Sequence, residues 1–293
     1  MKNTKSAIQI KQLNKAFGKK PILKSVSLTV PKGEIFGFLG PNGAGKTTTI
    51  RCMMDFIRGD SGSIRMFGLD SQDASLQLKS RIGYVPSDNH LNEKWTGAEH
   101  ISFIASLRKV STEMPDIIRR LNFDVVSKVK HLSSGNKQKL SIILALIGDP
   151  ELLILDEPTQ GLDPLFQNEI YDILHGLQNQ GKTVFISSHN LAEVQKLCSR
   201  VAIIREGKIV AEEALDSLRE ISTHQVMVRF NKSVPESAFD LKGVTVIEYK
   251  PKEVTLKVHG ELDSIIKLLA QYSVLDLQVE HVSLEEIFME LYQ

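Results

Sequence analysis

Short, continuous runs of apolar residues punctuate the first two thirds of the chain and are separated by polar and helix-forming stretches. The clearest runs cover residues 35–39, 152–155, 184–187 and 201–204. Runs of this length suit strands that are buried on both faces of a mostly parallel sheet. A helical stretch near residues 167–178 separates two of them. The pattern therefore predicts an α/β fold, in which ligands bind at the carboxyl ends of the strands.

The pattern changes twice along the chain. From about residue 89 to 145 helical stretches dominate, which predicts a helical subdomain within the first domain, residues 1–220. Beyond this domain apolar and polar positions alternate, as is typical of strands with one buried face. The segment 221–293 is therefore predicted to form a small α+β domain. Its predicted elements are strands over 224–230, 244–250, 253–258 and 274–282, a helix over 262–272, and a final segment that opens with the capping-box spacing of Ser283 and Glu286.

The composition excludes several classes of protein. The 293 residues carry a net charge of +1, without the strong basic excess of a nucleic-acid binder. Cys52 and Cys198 are far apart and outside any CxxC or Cys/His cluster, which argues against a disulfide framework or a zinc site. No secretory signal is visible, and the apolar runs are far shorter than the roughly 20 residues of a membrane helix. We expect a protein of the reducing cytosol, and any membrane spans it works with belong to another chain.

A glycine-rich segment between an apolar run and a helical run carries the strongest chemical signal. Residues 40–47, Gly-Pro-Asn-Gly-Ala-Gly-Lys-Thr, match GxxxxGK[ST] in full, in the strand–loop–helix context that confirms a phosphate-binding loop. Such a loop turns its backbone N–H groups towards phosphate, and the following helix points its positive end at the same anion. We predict that Lys46 reaches the β- and γ-phosphates, that Thr47 ligates Mg²⁺, and that Thr48 reaches the α-phosphate. The other nucleotide-binding residues predicted in this loop are Asn42, Gly43, Ala44 and Gly45.

A second signal is a pair of carboxylates, Asp156 and Glu157, at the end of the apolar run 152–155. In a parallel sheet this strand end lies beside the phosphate loop. Asp156 is predicted to hold Mg²⁺, as in other phosphate-loop enzymes. Glu157 points differently and is predicted to orient or deprotonate the attacking water.

Further motifs, in order and with characteristic spacing, resemble those of ABC ATPases over residues 8 to about 220. The segment Leu132-Ser133-Ser134-Gly135-Asn136 is similar to the family's LSGGQ signature, Gly161-Leu162-Asp163 follows the acidic strand, and Ser187-Ser188-His189 follows the next strand. The resemblance implies ATP and Mg²⁺ as cofactors and two ATPase subunits that meet head to tail. It also implies that Phe17 stacks on adenine, that Ser133 and Gly135 contact ATP across the interface, that Asp163 communicates across it, and that His189 contacts the γ-phosphate.

The chain departs from the family pattern at two places. Ser134 and Asn136 replace glycine and glutamine in the signature, and both residue types suit a helix start. After Pro86, where most members carry a glutamine that touches Mg²⁺, this chain has Ser87 and Asp88. Either residue is a hypothetical substitute for that contact.

The segment 283–288, Ser-Leu-Glu-Glu-Ile-Phe, is similar to the tails of motor subunits of bacterial ABC-2-type exporters. This resemblance implies transmembrane permease subunits as partners, an ATPase pair that is homodimeric or heterodimeric, and a peripheral place on the cytoplasmic side of the membrane. Two alternatives are a soluble ATP-driven switch that acts on ribosomes or DNA and a regulatory ATPase of a sensory complex. Trp95 either anchors a partner or packs within the helical subdomain.

Overall fold

The computed structural model describes residues 6–111, 115–215 and 223–281. The chain divides into two compact units, residues 1–213 and 214–293, which are described separately below. The domain boundary expected near residue 220 lies in the stretch 216–222, outside the described residues.

The first unit is built around a six-stranded sheet in the order β10-β9-β3-β8-β7-β6. The pairs β9–β3, β3–β8, β8–β7 and β7–β6 are all parallel, so their carboxyl ends meet at one edge of the sheet. The strands β3, β7 and β8 are buried along their whole length, as their continuous apolar sequences predict. The six strands are β3 (Ile35–Leu39), β6 (Ile82–Val85), β7 (Leu152–Asp156), β8 (Thr183–Ser188), β9 (Arg200–Arg205) and β10 (Lys208–Ala214).

A second sheet of the first unit was not predicted from the sequence. It is antiparallel, with the order β2-β1-β4-β5, and its buried residues share one hydrophobic core with β3, β7 and β8. In β2 every second residue from Val26 to Val30 is buried, which is the expected period of a strand with one buried face. The strands are β1 (Ser6–Phe17), β2 (Lys20–Pro31), β4 (Ser61–Met66) and β5 (Leu69–Asp70).

Helices connect and cover these strands. The segment 89–145, predicted to be helical, contains α3, α4, a 3₁₀ turn at Val129–His131 and most of α5. Trp95 packs edge-on against His100 and Phe103 of α3, with ring centroids 5.2 Å and 5.3 Å away, which favours the packing interpretation of this residue. The helices are α1 (Lys46–Met53), α2 (Ser75–Arg81), α3 (Gly97–Arg108), α4 (Pro115–Arg120), α5 (Ser134–Leu146), α6 (Pro164–Asn179) and α7 (Leu191–Leu197).

In its described residues, 223–281, the second unit forms a four-stranded antiparallel sheet in the strand order β12-β13-β11-β14, with a 3₁₀ turn at Glu236–Phe239 and an α-helix. Its core joins alternate residues of β11 and β13 to Ile265 and Leu269 of the helix. The helix is shorter than the predicted span 262–272, because it starts after Leu262 and turns at Leu269, whose carbonyl accepts from Tyr272 N–H. The capping box at Ser283 and Glu286 lies outside the described residues. The elements are β11 (Thr223–Phe230), β12 (Val244–Lys250), β13 (Glu253–His259), α8 (Asp263–Leu269) and β14 (Val274–His281).

The close approach of α5 to β6 leads to a stability prediction. A Cβ atom added at Gly83 would lie 2.2 Å from the carbonyl oxygen of Ala145, a clash with backbone that cannot easily move. We expect Gly83→Ala to lower the free energy of unfolding by about 2 kcal/mol, the scale of overpacking in a filled core. The matched control is Gly176→Ala in α6, where nothing lies within 4 Å of the added Cβ. The control should raise stability by about 0.5–1 kcal/mol, since alanine is the better helix former. Urea unfolding monitored by circular dichroism measures both changes, and equal midpoints for the two variants would contradict the prediction.

Candidate functional site

The phosphate loop lies between β3 and α1, at the carboxyl edge of the parallel strands. Gly45 precedes the helix with φ of 114°, a left-handed conformation that side chains disfavour. The Lys46 side chain is buried and curls back along the loop, where its Nζ donates to the carbonyl oxygens of Gly40 (2.6 Å) and Pro41 (3.2 Å). The same ammonium lies 3.1 Å from Glu157 Oε1. The loop therefore presents one buried positive charge directly opposite the acidic strand end.

A cavity of about 290 Å³ opens over this loop. Phe17 forms one side of it, and its ring is 52% exposed, so a face remains available for stacking. The Lys15 ammonium lies 5.6 Å from the centroid of the same ring. Eight predicted ATP-binding or catalytic residues line this cavity, together with Lys20 and Ile22: Phe17, Asn42, Gly43, Gly45, Lys46, Thr47, Thr48 and Glu157.

The acidic strand end is organised by Ser187, the residue opposite Asp156 in the β7–β8 pair. The Ser187 hydroxyl is fully buried and donates to Asp156 Oδ1 at 2.5 Å. The same hydroxyl oxygen accepts a hydrogen bond from the Glu157 backbone N–H at 3.1 Å. That N–H also donates to the backbone carbonyl oxygen of Ser187. One serine thus fixes both carboxylate residues, a role that the sequence motif did not reveal.

Glu157 lies between two other candidate groups. One carboxylate oxygen contacts Lys46, and the other, Oε2, lies 2.9 Å from Nδ1 of His189. The Glu157 side chain is 12% exposed, whereas that of His189 is 44% exposed. A carboxylate that is held by a histidine and faces a phosphate site can orient a water molecule and accept its proton.

Asp156 and Thr47 offer oxygen ligands to a hard cation. Asp156 is completely buried, and its Oδ2 finds no hydrogen-bond partner among residues 6–111, 115–215 and 223–281. A buried carboxylate oxygen without a partner is costly, and a divalent cation is one group that would satisfy it. Thr47 lines the cavity beside Lys46. The donor set fits Mg²⁺, which prefers oxygen ligands and phosphate oxygens.

The signature residues form a separate group. Ser133 caps α5 and its hydroxyl accepts from Asn136 N–H at 3.2 Å. Gly135 lies beside the loop that joins β7 to α6, since a Cβ atom built on it would be 3.6 Å from Leu162. Asp163 is exposed and caps α6 by accepting from Phe166 N–H at 2.9 Å. Within the described part of the chain, neither these residues nor Ser87 line the cavity of the phosphate loop.

Glu193 is a buried carboxylate beside the site that the sequence did not single out. It is 4% exposed, and it accepts hydrogen bonds from the hydroxyls of Thr159 and Ser188. Burial raises the pKa of this carboxyl, and the hydrogen bonds from both hydroxyls oppose that rise. The spacing of Asn190 and Glu193 is typical of a capping pair at a helix start, and the Asn190 side chain does accept from Glu193 N–H. That pattern conceals the contacts of the carboxylate with the segments that carry Glu157 and His189.

A second cavity, of about 310 Å³, is a groove between β6, α2, α3 and α5. Phe56 is 52% exposed there and packs edge-on against Tyr84, with ring centroids 5.6 Å apart. Asn89 also lines the groove, and its side-chain amide donates to Gln138 of α5 while its oxygen accepts from Ser141. We call this cavity the α2–α3–α5 groove.

Among the described residues, no helix is both long enough and apolar enough to cross a bilayer.

The chain is similar to known proteins in both sequence and structure. A family model described as "ABC transporter" matches residues 23–160. The linearmycin resistance ATP-binding protein LnrL of Bacillus subtilis is 33% identical over an alignment of 305 residues, gaps included, that covers 97% of this chain and 97% of the relative. Nod factor export ATP-binding protein I of Paraburkholderia xenovorans is 36% identical over 220 residues, 73% of this chain and 72% of the relative. A solved structure of the ATP-binding subunit of an ABC transporter superposes with a TM-score of 0.69 at 28% identity, covering 73% of this chain and 92% of that one.

The solved structure confirms the α/β fold of the phosphate-loop ATPase core, to which this chain adds the small antiparallel sheet of the second unit. The match with LnrL runs over both units of the chain, so the similarity is not confined to the phosphate loop. An intact phosphate loop faces Glu157, which His189 contacts. The chain therefore belongs to the ABC transporter family, as one of its ATP-binding, ATP-hydrolysing subunits.

Proposed function

We propose that this chain is the motor subunit of an ABC-2-type exporter and that the cavity over the phosphate loop binds ATP. Adenine stacks on Phe17, the loop of Asn42, Gly43, Ala44 and Gly45 surrounds the phosphates, and Lys46 and Thr48 contact them. Glu157 orients and deprotonates the attacking water, and His189 holds Glu157 and contacts the γ-phosphate. The single observation that carries this proposal is that the Glu157 carboxylate contacts both Lys46 and His189. Its Oε1 lies 3.1 Å from Lys46 Nζ, and its Oε2 lies 2.9 Å from His189 Nδ1.

Thr47 and Asp156 are the residues that we propose to hold Mg²⁺. The partnerless Oδ2 of Asp156 supports this assignment. When bound, the cation neutralises charge on the phosphate oxygens. Ser187 contributes by fixing Asp156 through its other oxygen, Oδ1, which leaves Oδ2 for the cation. A contact of Ser87 with the cation stays a prediction.

The signature residues belong, in this proposal, to the ATP site of a second ATPase subunit. Ser133 and Gly135 open α5, and a helix start with free N–H groups favours an anion. They lie outside the wall of their own phosphate-loop cavity in the described structure, so a partner's γ-phosphate is the ligand that we assign to them. Asp163 lies exposed at the start of α6 and contributes to the same interface. The second subunit is either a copy of this chain or a related ATPase.

The α2–α3–α5 groove is the surface that we propose for the transmembrane permease. It combines exposed aromatic surface at Phe56 with polar groups at Asn89 and Arg108. Large aromatic side chains that remain half exposed are typical anchors of protein interfaces. The names of the relatives, which refer to Nod factor export and linearmycin resistance, support export as the direction of transport. The proposed location is the cytoplasmic side of the membrane, held there by the permease.

A pull-down from native membranes in detergent tests this assignment. We expect the chain to co-purify with a multi-span membrane protein, and Phe56→Ala to reduce the recovered permease by about tenfold or more, the scale of losing an interface anchor. The matched control is Leu76→Ala, which removes an even more exposed apolar side chain of α2 outside the groove wall. Recovery of ribosomal proteins or DNA, without a membrane protein, would instead support the soluble-switch alternative. Equal recovery of the permease with Phe56→Ala and Leu76→Ala would reject the groove as the docking surface.

A further inference from the structure

Glu157 has an unusual backbone conformation for its residue type. Its φ is 52°, in the left-handed region, and Pro158 follows it directly. A side-chain-bearing residue in this region costs about 1–2 kcal/mol, so the surrounding structure must hold it there. The backbone hydrogen bond from Glu157 N–H to Ser187 fixes the residue on its strand side. The loop that joins β7 to α6, residues 157–163, also needs contacts at the residues that follow Glu157 to keep this conformation.

Gln138 of α5 provides one such contact. Its side chain is buried, 7% exposed, and its Nε2 donates to the carbonyl oxygen of Pro158 at 2.8 Å. Its Oε1 accepts from Asn89 Nδ2 at 2.6 Å, so both ends of the carboxamide are engaged and its orientation is fixed. The amide therefore links Asn89, in the wall of the α2–α3–α5 groove, to the residue that follows Glu157.

Glu193 of α7 provides the other contact. Its Oε1 accepts from the Thr159 hydroxyl at 2.6 Å, two residues beyond Glu157. Its Oε2 accepts from the Ser188 hydroxyl, one residue before His189. One buried carboxylate thus joins the segment that carries Glu157 to the segment that carries His189.

We propose that Gln138 and Glu193 are positioning residues, which fix the loop after β7 so that the Glu157 carboxylate stays between the phosphate loop and His189. The inference rests on the proposed role of Glu157. Burying a carboxamide and a carboxylate costs free energy that apolar side chains of similar volume would not cost. Because Gln138 and Glu193 contact the consecutive loop residues Pro158 and Thr159, we attribute these buried polar side chains to holding the loop in position rather than to packing. A displacement of about 1 Å of a reacting group can lower turnover by about 100-fold, which makes such positioning effective.

Steady-state ATP hydrolysis by the full-length chain, together with the proteins that co-purify with it, tests the proposal. The variants are Gln138→Met and Thr159→Val, which keep the approximate side-chain volumes and remove the contacts with Pro158 O and Glu193. The matched control is Gln77→Met, the same kind of substitution at an exposed residue of α2 that lines neither the α2–α3–α5 groove nor the phosphate-loop cavity. Each variant is also made in a Glu157→Gln background. ATP affinity is measured separately with a fluorescent ATP analogue, and folding by circular dichroism.

We expect Gln138→Met and Thr159→Val to lower kcat by between about 10- and 100-fold. The ATP affinity of both variants and the kcat of the Gln77→Met control should stay within about twofold of the parent. In the Glu157→Gln background, the two changes should cost no further turnover, because they act only through Glu157. Wild-type kcat in both variants would overturn the proposal. An equal loss with and without the Glu157 carboxylate, or weakened ATP binding, would also overturn it, since either indicates a general structural role. If Glu157→Gln itself hydrolysed ATP like the parent, the proposed role of Glu157 in hydrolysis would be wrong. That outcome is distinct from the results that would reject only the positioning role of Gln138 and Glu193.

Discussion

Glu157→Gln should lower the turnover of ATP by between about 100- and 10,000-fold, the range that a positioned general base contributes. The substitution keeps the shape of the side chain but removes the group that accepts a proton from water. It also removes the charge that lies 3.1 Å from Lys46. The Lys46 ammonium is then released to the phosphates, so we expect ATP to bind at least as tightly as in the parent. Bound ATP that is not hydrolysed should hold two ATPase subunits together, visible as an ATP-dependent dimer in size-exclusion chromatography.

The control for this variant is Glu151→Gln, at the opposite end of the same strand. Glu151 pairs with Arg81 on the surface, with a contact of 2.6 Å, and is remote from the carboxyl edge where the site lies. It should hydrolyse ATP like the parent and form no trapped dimer. Parental turnover by Glu157→Gln would remove Glu157 from the mechanism and leave His189 only its proposed contact with the γ-phosphate.

The local motifs of the site could be predicted because each is a continuous segment whose neighbours in sequence are its neighbours in space. The phosphate loop needs only the strand before it and the helix after it, and both are visible in the apolar pattern. The sheet then places Asp156 beside the loop, since the carboxyl ends of its parallel strands, β3 and β6 to β9, meet at one edge. The prediction of an α/β core with a helical subdomain follows from the same pattern.

The antiparallel sheet of the first unit was missed mainly because its strand β1 is irregular. In β1 the pairing shifts between Ile10 and Leu13, and Gln12 there has a positive φ of 47°. A bulge of this kind breaks the period of two on which strand prediction depends. The alternation in β2 was regular, but a single strand with one buried face does not reveal its partners.

The residues that support Glu157 and its neighbours could not be found from sequence, because their contacts join distant segments. Ser187 contacts a carboxylate 31 positions away, and Thr159 contacts Glu193 across 34 positions. Nothing near Gln138 in the sequence indicates that its amide reaches Pro158. Glu193 was concealed by a helix-start pattern that explains the residue without any reference to the site. Positioning of this kind depends on how the helices pack on the sheet, which the apolar pattern leaves undetermined.

The Lys46 ammonium is the only positive side chain whose contacts with both the phosphate loop and Glu157 are seen in the described structure. Charge-assisted hydrogen bonds to a buried group contribute about 1.5–3 kcal/mol each, and the triphosphate offers more than one acceptor to Lys46. We therefore expect Lys46→Ala to weaken ATP binding by about 100-fold or more, since 1.4 kcal/mol corresponds to a factor of ten. Isothermal titration calorimetry with ATP, ADP and AMP measures the effect and locates it on the nucleotide.

The loss should be largest for ATP and smallest for AMP, because Lys46 is assigned to the β- and γ-phosphates. Lys182→Ala is the matched control: this lysine pairs with Asp149 at 2.7 Å, next to the amino end of β8 and away from the phosphate loop. It should bind all three nucleotides like the parent. An equal loss for AMP and ATP would mean that Lys46→Ala deforms the loop, whose carbonyl oxygens at Gly40 and Pro41 lose their donor. Unchanged ATP affinity would contradict the phosphate-loop assignment itself, and with it the proposal that this cavity drives the transporter.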